Sequence, residues 1–279
     1  MADVLGYAGK RVIVTGCYSG MGEATARLLL SLGAEVHGLD YKDSALPLAS
    51  FNNVDLRDAA SIDAGVAAIG GKVDALFNCA GLPQTFAPLD VMKVNFIGTR
   101  HLTEKVIPLM QGKGAVVSIA STGGLGWSRR IPTHMQFFGA APDFASAVAW
   151  CEANADTVRE GYAFSKEAII VWTMVAGAKL IKQGIRLNTT MPSPTQTPMM
   201  KEFESATRAE VLDAATQPIG RRSTPDEQAG GLVLLNSDLA SFVNGVCLPV
   251  DGGFMGGVAT GQVDLSVMMA GAQQQQAQQ

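Results

Sequence analysis

Charge is scarce in this sequence, and so are aromatic rings, cysteine and histidine. Asp, Glu, Lys and Arg make up 16% of the 279 residues with a net charge of −4, so no basic footprint points to nucleic acid or an anionic lipid surface. The four cysteines (Cys17, Cys79, Cys151, Cys247) lie far apart without a C-x-x-C pair, and only three histidines accompany them. That argues against a zinc site or a disulfide framework. The longest apolar stretch, Ala168 to Ala178, is too short to cross a bilayer. Met1 to Arg11 lacks a charged-then-apolar secretory pattern. These absences lead to the expectation of a soluble, reduced, cytoplasmic protein. What is abundant is apolar side chain, 47% of the chain, together with 31 glycines. That is enough for a large buried core and too apolar for disorder.

The chain alternates short β-branched runs with helical patterns. Strands are expected at Arg11–Thr15, Glu35–Leu39, Phe51–Val54, Val73–Asn78, Ala115–Ile119, Ile185–Thr190 and Val246–Val250. Helices are expected at Met21–Leu32, Asp58–Ile69, Leu89–Met110, Val158–Lys182 and, with Pro at its first turn, Pro225–Asn236. Repeated βα units of this kind predict an α/β fold: a single doubly wound, Rossmann-type parallel sheet with helices on both faces. No repeat or linker splits the chain. One domain over residues 1–254 is expected, followed by a flexible Gly- and Gln-rich tail over 255–279.

The first strand runs into Thr15-Gly16-Cys17-Tyr18-Ser19-Gly20-Met21-Gly22. Glycines allow a tight turn and close approach to a pyrophosphate, and the following helix turns its amides toward that anion. Gly16, Ser19, Gly20 and Met21 are therefore candidate phosphate contacts. By itself a glycine-rich strand-to-helix turn is as often structural as nucleotide-binding. Asp40, at the end of the second strand, strengthens the nucleotide reading. Its carboxylate suits two ribose hydroxyls and repels a 2′-phosphate, so NAD is expected rather than NADP, with Lys42 nearby to soften the repulsion.

From Lys10 to Phe254 the sequence resembles the short-chain dehydrogenase/reductase superfamily. The glycine turn has that family's TGxxxGxG spacing. Asn78-Cys79-Ala80-Gly81 is similar to its NNAG segment, with Cys in place of the second Asn. Asp55-Leu56 match its adenine-contacting pair, and Asn95 and Ser121 match its catalytic Asn and Ser. Tyr162-Ala-Phe-Ser-Lys166 is its YxxxK; Pro192–Thr197 resembles the nicotinamide loop, with Ser193 replacing the loop glycine, and Val250-Asp251-Gly252-Gly253 its C-terminal signature. The resemblance implies cofactor contacts from Asn78, Ala80, Gly81, Thr195 and Thr197 as well as Tyr162 and Lys166. It also implies a water-anchoring role for Asn95.

The chemistry follows from residue type. Tyr162 and Lys166, four apart, are neighbours on one helix face. An adjacent ammonium and an oxidised nicotinamide both favour the phenolate, so Tyr162 is expected to take the alcohol proton as hydride leaves the carbon. Ser121 is expected to hold the substrate oxygen.

Ser121 and Tyr162 lie 41 positions apart (162 − 121), where the family usually has about a dozen. A helical insertion, residues 123–160, therefore precedes the tyrosine helix. It carries Trp127, Ile131, Met135, Phe137, Phe138, Phe144 and Trp150. These either line a pocket for a bulky hydrophobic alcohol or ketone or pack the insertion on the body. Similar insertions mark the 3α-hydroxysteroid dehydrogenase/carbonyl reductases and the coniferyl-alcohol dehydrogenases; Glu167-Ala-Ile-Ile-Val-Trp172 looks especially like the latter. An alicyclic or steroid-like secondary alcohol is the first expectation and an aryl alcohol the second, with a non-catalytic NAD-binding module as a further alternative. A homodimer through Val246–Val250 and the Pro225 helix is favoured over a tetramer, because the insertion is placed to obstruct the family's other interface.

Overall fold

The computed structural model describes residues 3–264 and 266. Seven strands form one parallel sheet in the order β3-β2-β1-β4-β5-β6-β7. They are β1 (Arg11–Thr15), β2 (Glu35–Asp40), β3 (Ser50–Asn53), β4 (Ala75–Asn78), β5 (Gly114–Ile119), β6 (Ile185–Pro192) and β7 (Cys247–Val250). Side chains alternate between two cores. Leu76 enters one with Ile13 and Val116. Its neighbours Ala75 and Phe77 enter the other with Val12, Val14 and Val117. The second core is closed by α1 (Gly20–Ser31) and α11 (Pro225–Asn236), whose Leu29 and Leu232 are fully buried. The doubly wound α/β expectation holds. Because strand order reverses between β1 and β4, the carboxyl ends of these two strands open a crevice.

Around the first core lie α2 (Ala59–Ile69), α3 (Pro88–Met92), α4 (Thr99–Val106), α5 (Ile131–Ala140), α6 (Phe144–Ala153), α7 (Ala155–Val158) and α8 (Gly161–Leu180). Two expected helices are broken. The stretch Leu89–Met110 contains a π-helical turn at Lys93–Gly98, where the Thr99 hydroxyl donates to the Val94 carbonyl five residues back (3.0 Å), and it ends as a 3-10 turn at Ile107–Met110 containing Pro108. Gly98 lets this turn press on the Leu56 carbonyl, which a Cβ would strike. The helix expected from Val158 stops there. The chain turns at Arg159 and Glu160 and restarts at Gly161, which lies against the Pro88 backbone.

The segment after β6 forms α9 (Met200–Ala206) and α10 (Ala209–Ala214), where sequence patterning assigns no element. The beginning of the expected flexible tail is instead a short helix, α12 (Phe254–Ala259), with Phe254 and Gly257 buried and Val263 packed beneath Gly257. The buried Phe254 and Val263 side chains supply the apolar contacts that Gly-richness concealed. The Gln-rich end lies outside the described residues. Among the described residues, no helix is long and apolar enough to cross a membrane.

Candidate active site

The glycine turn sits at the crevice, held by its strand. Thr15 Oγ1 accepts hydrogen bonds from the backbone N–H of Cys79 (3.0 Å) and Ala80 (3.1 Å), joining the ends of β1 and β4. Gly16 has φ +70, and a Cβ there would lie 2.7 Å from the Ala80 nitrogen. Gly20, φ +64, faces Thr197, whose Cγ2 would be 3.2 Å from an added Cβ. Glycine at both positions lets the turn take positive φ and pack this closely on Ala80 and Thr197. Ser19 is the N-cap of α1 but makes no side-chain cap bond, and Met21 lines the crevice. A turn shaped this way, with the start of a twelve-residue helix behind it, fits a pyrophosphate.

Asp40 is buried at the end of β2, where its carboxylate accepts from the Tyr18 N–H (2.9 Å) and the Lys42 N–H (3.1 Å). Each carboxylate oxygen accepts more than one bond, so the group keeps capacity for ribose hydroxyls. The Lys42 ammonium lies 5.3 Å from the Tyr18 ring centroid and 5.1 Å from that of Tyr41. Asp55, just after β3, is engaged by Arg57 (2.7 Å), which holds its carboxyl below the usual range. Leu56 is buried, with its carbonyl against Gly98.

Asn78 does not enter the crevice. Its amide is buried and donates to Thr103 Oγ1 (2.9 Å) and Ser118 Oγ (3.1 Å), tying β4 to α4 and β5. The side chain of a residue at a strand end takes whichever face the pleat dictates, and here that is the helix side. The side chain of Asn78, a residue expected among the cofactor contacts, thus faces α4 and β5. Ala80 and Gly81 do line the crevice. Asn95, in the π turn, also turns inward: its amide donates to the Leu82 carbonyl (3.0 Å) and Ser165 Oγ (3.3 Å) and accepts from the Leu82 N–H (2.7 Å). It clamps the Gly81–Leu82 backbone, and a Cβ on Gly81 would lie 3.3 Å from its Oδ1.

Ser121, Tyr162 and Lys166 converge on one wall of a cleft of about 520 Å³. Ser121 caps the 3-10 turn Thr122–Arg129 by accepting the Gly123 N–H (3.0 Å), and its hydroxyl neighbours the Tyr162 phenol. Lys166 donates to the Ile119 carbonyl (2.8 Å), and its ammonium stands 5.7 Å from the Tyr162 ring centroid. Burial pushes the phenol above its ordinary value, opposed by the Ser121 hydroxyl, and pushes the Lys166 ammonium down to about 8. In the chain alone, desolvation of the phenol outweighs the neighbouring Ser121 hydroxyl.

The remaining walls differ from the sequence-based picture. Pro192–Thr195 and Thr197 edge the cleft, and Thr195 is fixed by hydrogen bonds to the Ser193 carbonyl (2.9 Å) and Ser223 Oγ (2.9 Å). Opposite stand Leu82, Gln84 and Phe86 from the β4–α3 loop and Met199, Phe203 and Leu212 from the α9–α10 region. Phe203 lies edge-on to Tyr162 at 5.1 Å, and Gln84 Nε2 donates to Thr207 Oγ1 (2.8 Å) across the mouth. None of these wall residues was legible as a site residue. The only trace is the apolar spacing Met199, Met200, Phe203 in a polar stretch. From the insertion, only Gly123 at its start and Arg159 and Glu160 at its end touch the cleft, along with nothing of its aromatic set. Phe137 and Phe138 pack on Phe96 at 5.6 and 5.5 Å, and Trp150 on Phe137 at 4.5 Å.

Comparison with known proteins agrees with this geometry. A family model described as short chain dehydrogenase matches residues 10–132, and one described as enoyl-(acyl carrier protein) reductase matches residues 146–255. The coniferyl-alcohol dehydrogenase of Pseudomonas sp. (strain HR199) is 34% identical over 88% of this chain and 96% of its own length. The 3-alpha-hydroxysteroid dehydrogenase/carbonyl reductase of Comamonas testosteroni is 30% identical over 87% of this chain and 95% of its own. The crystal structure of the 3-alpha-hydroxysteroid dehydrogenase from Pseudomonas sp. B-0831, complexed with NADH, superposes with a TM-score of 0.75 at 28% identity, covering 90% of this chain and 98% of that one. Sequence, sheet and site agree: the chain belongs to the short-chain dehydrogenase/reductase superfamily of oxidoreductases.

Proposed function

We propose that the protein is an NAD(H)-dependent oxidoreductase that interconverts a bulky hydrophobic secondary alcohol, alicyclic or steroid-like, and its ketone. The observation that carries this reading is the convergence of Ser121, Tyr162 and Lys166 on a cleft whose other walls are Leu82, Phe86, Met199, Phe203 and Leu212. The glycine turn, Asp40 and the Ala80–Gly81 backbone fit a dinucleotide laid across the switch point, and Asp40 favours NAD. When bound, the nicotinamide supplies the hydride acceptor or donor.

The chain's own residues do the rest. Ser121 donates a hydrogen bond to the substrate oxygen and fixes its position beside Tyr162. In oxidation the Tyr162 phenolate takes the hydroxyl proton while the carbinol carbon gives up its hydride; in reduction the phenol returns that proton to the oxygen. Lys166, anchored on Ile119, holds positive charge beside the ring and is within reach of a ribose. Asn95 contributes by fixing the Gly81–Leu82 backbone that borders the reacting centre.

An aryl alcohol is the second reading, favoured by the Phe86 and Phe203 rings in the wall and by the similarity to coniferyl-alcohol dehydrogenase. A panel of alicyclic, steroid and aryl alcohols and ketones with NAD(H) and NADP(H), followed by reduced-nicotinamide absorbance, separates the readings. Turnover confined to aryl alcohols rejects the first, and a wild type that prefers NADP rejects the role given to Asp40.

The same proposal places the catalytic unit in one domain, 1–254, in a cytoplasmic homodimer. The support for the dimer is an apolar edge at α11 and β7: Leu234 and Leu239 are exposed and Phe242 is fully so. Meanwhile α5 and α6 cover Phe96 and Phe164 on the opposite side. Light scattering on wild type and Phe242→Asp tests it; a tetramer that survives the substitution rejects it.

A further inference from the structure

Outside the cleft, two buried polar side chains, His134 and Glu167, meet the partly exposed Arg130 where the insertion meets α8. The Glu167 carboxylate accepts two bonds from the Arg130 guanidinium, Nε to Oε2 (2.9 Å) and Nη2 to Oε1 (3.0 Å). Its Oε2 also accepts the Nε2–H of His134 (3.1 Å). Glu167 is 1% exposed and His134 0%, and the His134 Nδ1 has no hydrogen-bond partner. Phe164 covers the group, 4.5 Å from the His134 ring and 5.8 Å from the guanidinium. None of the three lines the cleft, and the reaction as derived uses none of them.

Apolar residues of the same volume would join the insertion to α8 at least as well, because buried ionic groups recover little more than their desolvation. The consequence of the trio that the contacts do show is geometric: it fixes how the turn sits on α8. Glu167 follows Lys166 directly, and Arg130 closes the 3-10 turn that starts just after Ser121. That turn is pressed on α8: a Cβ on Gly126 would strike Glu167 Oε1, and one on Gly124 would lie 3.0 Å from the Lys166 carbonyl carbon. At its other end, Gly123 donates to Ser121 Oγ and would place a Cβ 3.1 Å from Tyr162 Cε1. Contact is continuous from the carboxylate, through the turn, to Ser121 Oγ and the Tyr162 ring.

We propose that Glu167 is a positioning residue: by gripping Arg130 and His134 it holds the turn 122–130 on α8 and so fixes the Ser121 hydroxyl relative to Tyr162 and Lys166. This rests on the oxidoreductase reading given above. A slack turn moves the Ser121 hydroxyl relative to the Tyr162 phenol, and that hydroxyl opposes the upward push of burial on the phenol. Loosening the turn raises the pH at which the tyrosine can act as a base, whereas a tie that merely held the fold together would leave that pH unchanged.

The test uses the full chain in two variants, the triple substitution Arg130→Met, His134→Leu, Glu167→Leu and the single substitution Glu167→Gln. Each is assayed for Tm, NADH dissociation constant by fluorescence, and kcat and KM for alcohol oxidation as a function of pH. The triple variant is expected to melt at or above wild type and to bind NADH within about twofold. Its kcat is expected to fall on the order of 10- to 100-fold, the scale of a reacting group displaced by about an ångström. The rising limb of its pH profile should move to higher pH. Glu167→Gln should show the same shift with a smaller loss, and it carries the test if the triple variant does not fold. An active wild type beside a folded variant whose kcat and pH limb are unchanged overturns the proposal alone. A wild type that turns over no alcohol or ketone overturns the oxidoreductase reading with it.

Discussion

Two segments flank Tyr162, and they divide the labour against the expectation set by their composition. The insertion between Ser121 and Tyr162 holds a large share of the chain's aromatic rings, yet it spends them on the body. Phe137 is fully buried, Phe138 stacks on Phe96 and Trp150 lies 4.5 Å from Phe137. The segment between β6 and α11 is more polar, yet its Met199, Met200, Phe203 and Leu212 form the cleft wall, and Phe203 touches Tyr162. Composition reports how much apolar surface a segment must bury; topology decides where. The insertion leaves and re-enters beside the site but travels over α3, α4 and α8, where a broad apolar face needs covering. The later segment starts at the carboxyl end of β6 and has only the crevice to cover.

The largest expected effect lies between the two segments and calibrates both. Tyr162→Phe should lose turnover by about 10²- to 10⁴-fold while binding NADH nearly normally, since one hydroxyl disappears and the packing stays. Steady-state kinetics with fluorescence titration checks this; retained turnover would remove the tyrosine from the chemistry and with it the importance of either wall. Next comes a core substitution in the insertion. Phe137→Ala should destabilise the protein by about 3–5 kcal/mol, the usual range for a fully buried ring. Denaturant unfolding measures it. At temperatures where the variant remains folded, KM for bulky alcohols should stay near wild type, and a large rise in KM without loss of stability would turn the comparison around.

The sequence shows the strands and the sheet class better than it shows the lining of the cleft, and the reasons are physical. Most strands are runs of apolar or β-branched residues, and strand ends in a parallel sheet collect at one edge, so Ser121, just after β5, is placed once the strands are. Asn78 and Asn95 show what identity alone leaves open. Both are polar residues at the crevice margin, yet their amides face Thr103 and Ser118 in one case and Leu82 in the other. Which way a side chain turns depends on partners distant in sequence. The π turn around Asn95 is hidden for a similar reason: it ends at Gly98, packed on Leu56, a contact between separate elements. The α9–α10 helices are short and weakly patterned, and a seven-residue and a six-residue helix offer too few turns for periodicity to register.

Two milder substitutions sharpen the comparison further. Phe203→Ala removes a ring that stands edge-on to Tyr162 and is only half-buried, so its cost in stability should be small. A wall ring of this kind contributes about 1–3 kcal/mol to holding a bulky apolar substrate, so KM for such substrates should rise roughly 5- to 100-fold. Small alcohols that never reach the wall should be affected least. Phe138→Ala gives the smallest change in catalysis. Its ring lies 5.5 Å from Phe96 and 5.8 Å from Phe137, on the far side of the helix wall from the cleft. Removing it opens space beneath the insertion and should lower Tm by a few degrees, while KM and kcat for bulky substrates remain within about twofold. Measured side by side, the two phenylalanine variants give opposite patterns: KM without Tm for Phe203, Tm without KM for Phe138. If Phe138→Ala instead raised KM for bulky alcohols as much as Phe203→Ala did, the insertion would be a pocket wall after all, and the cleft would have to extend behind Tyr162 toward Phe96.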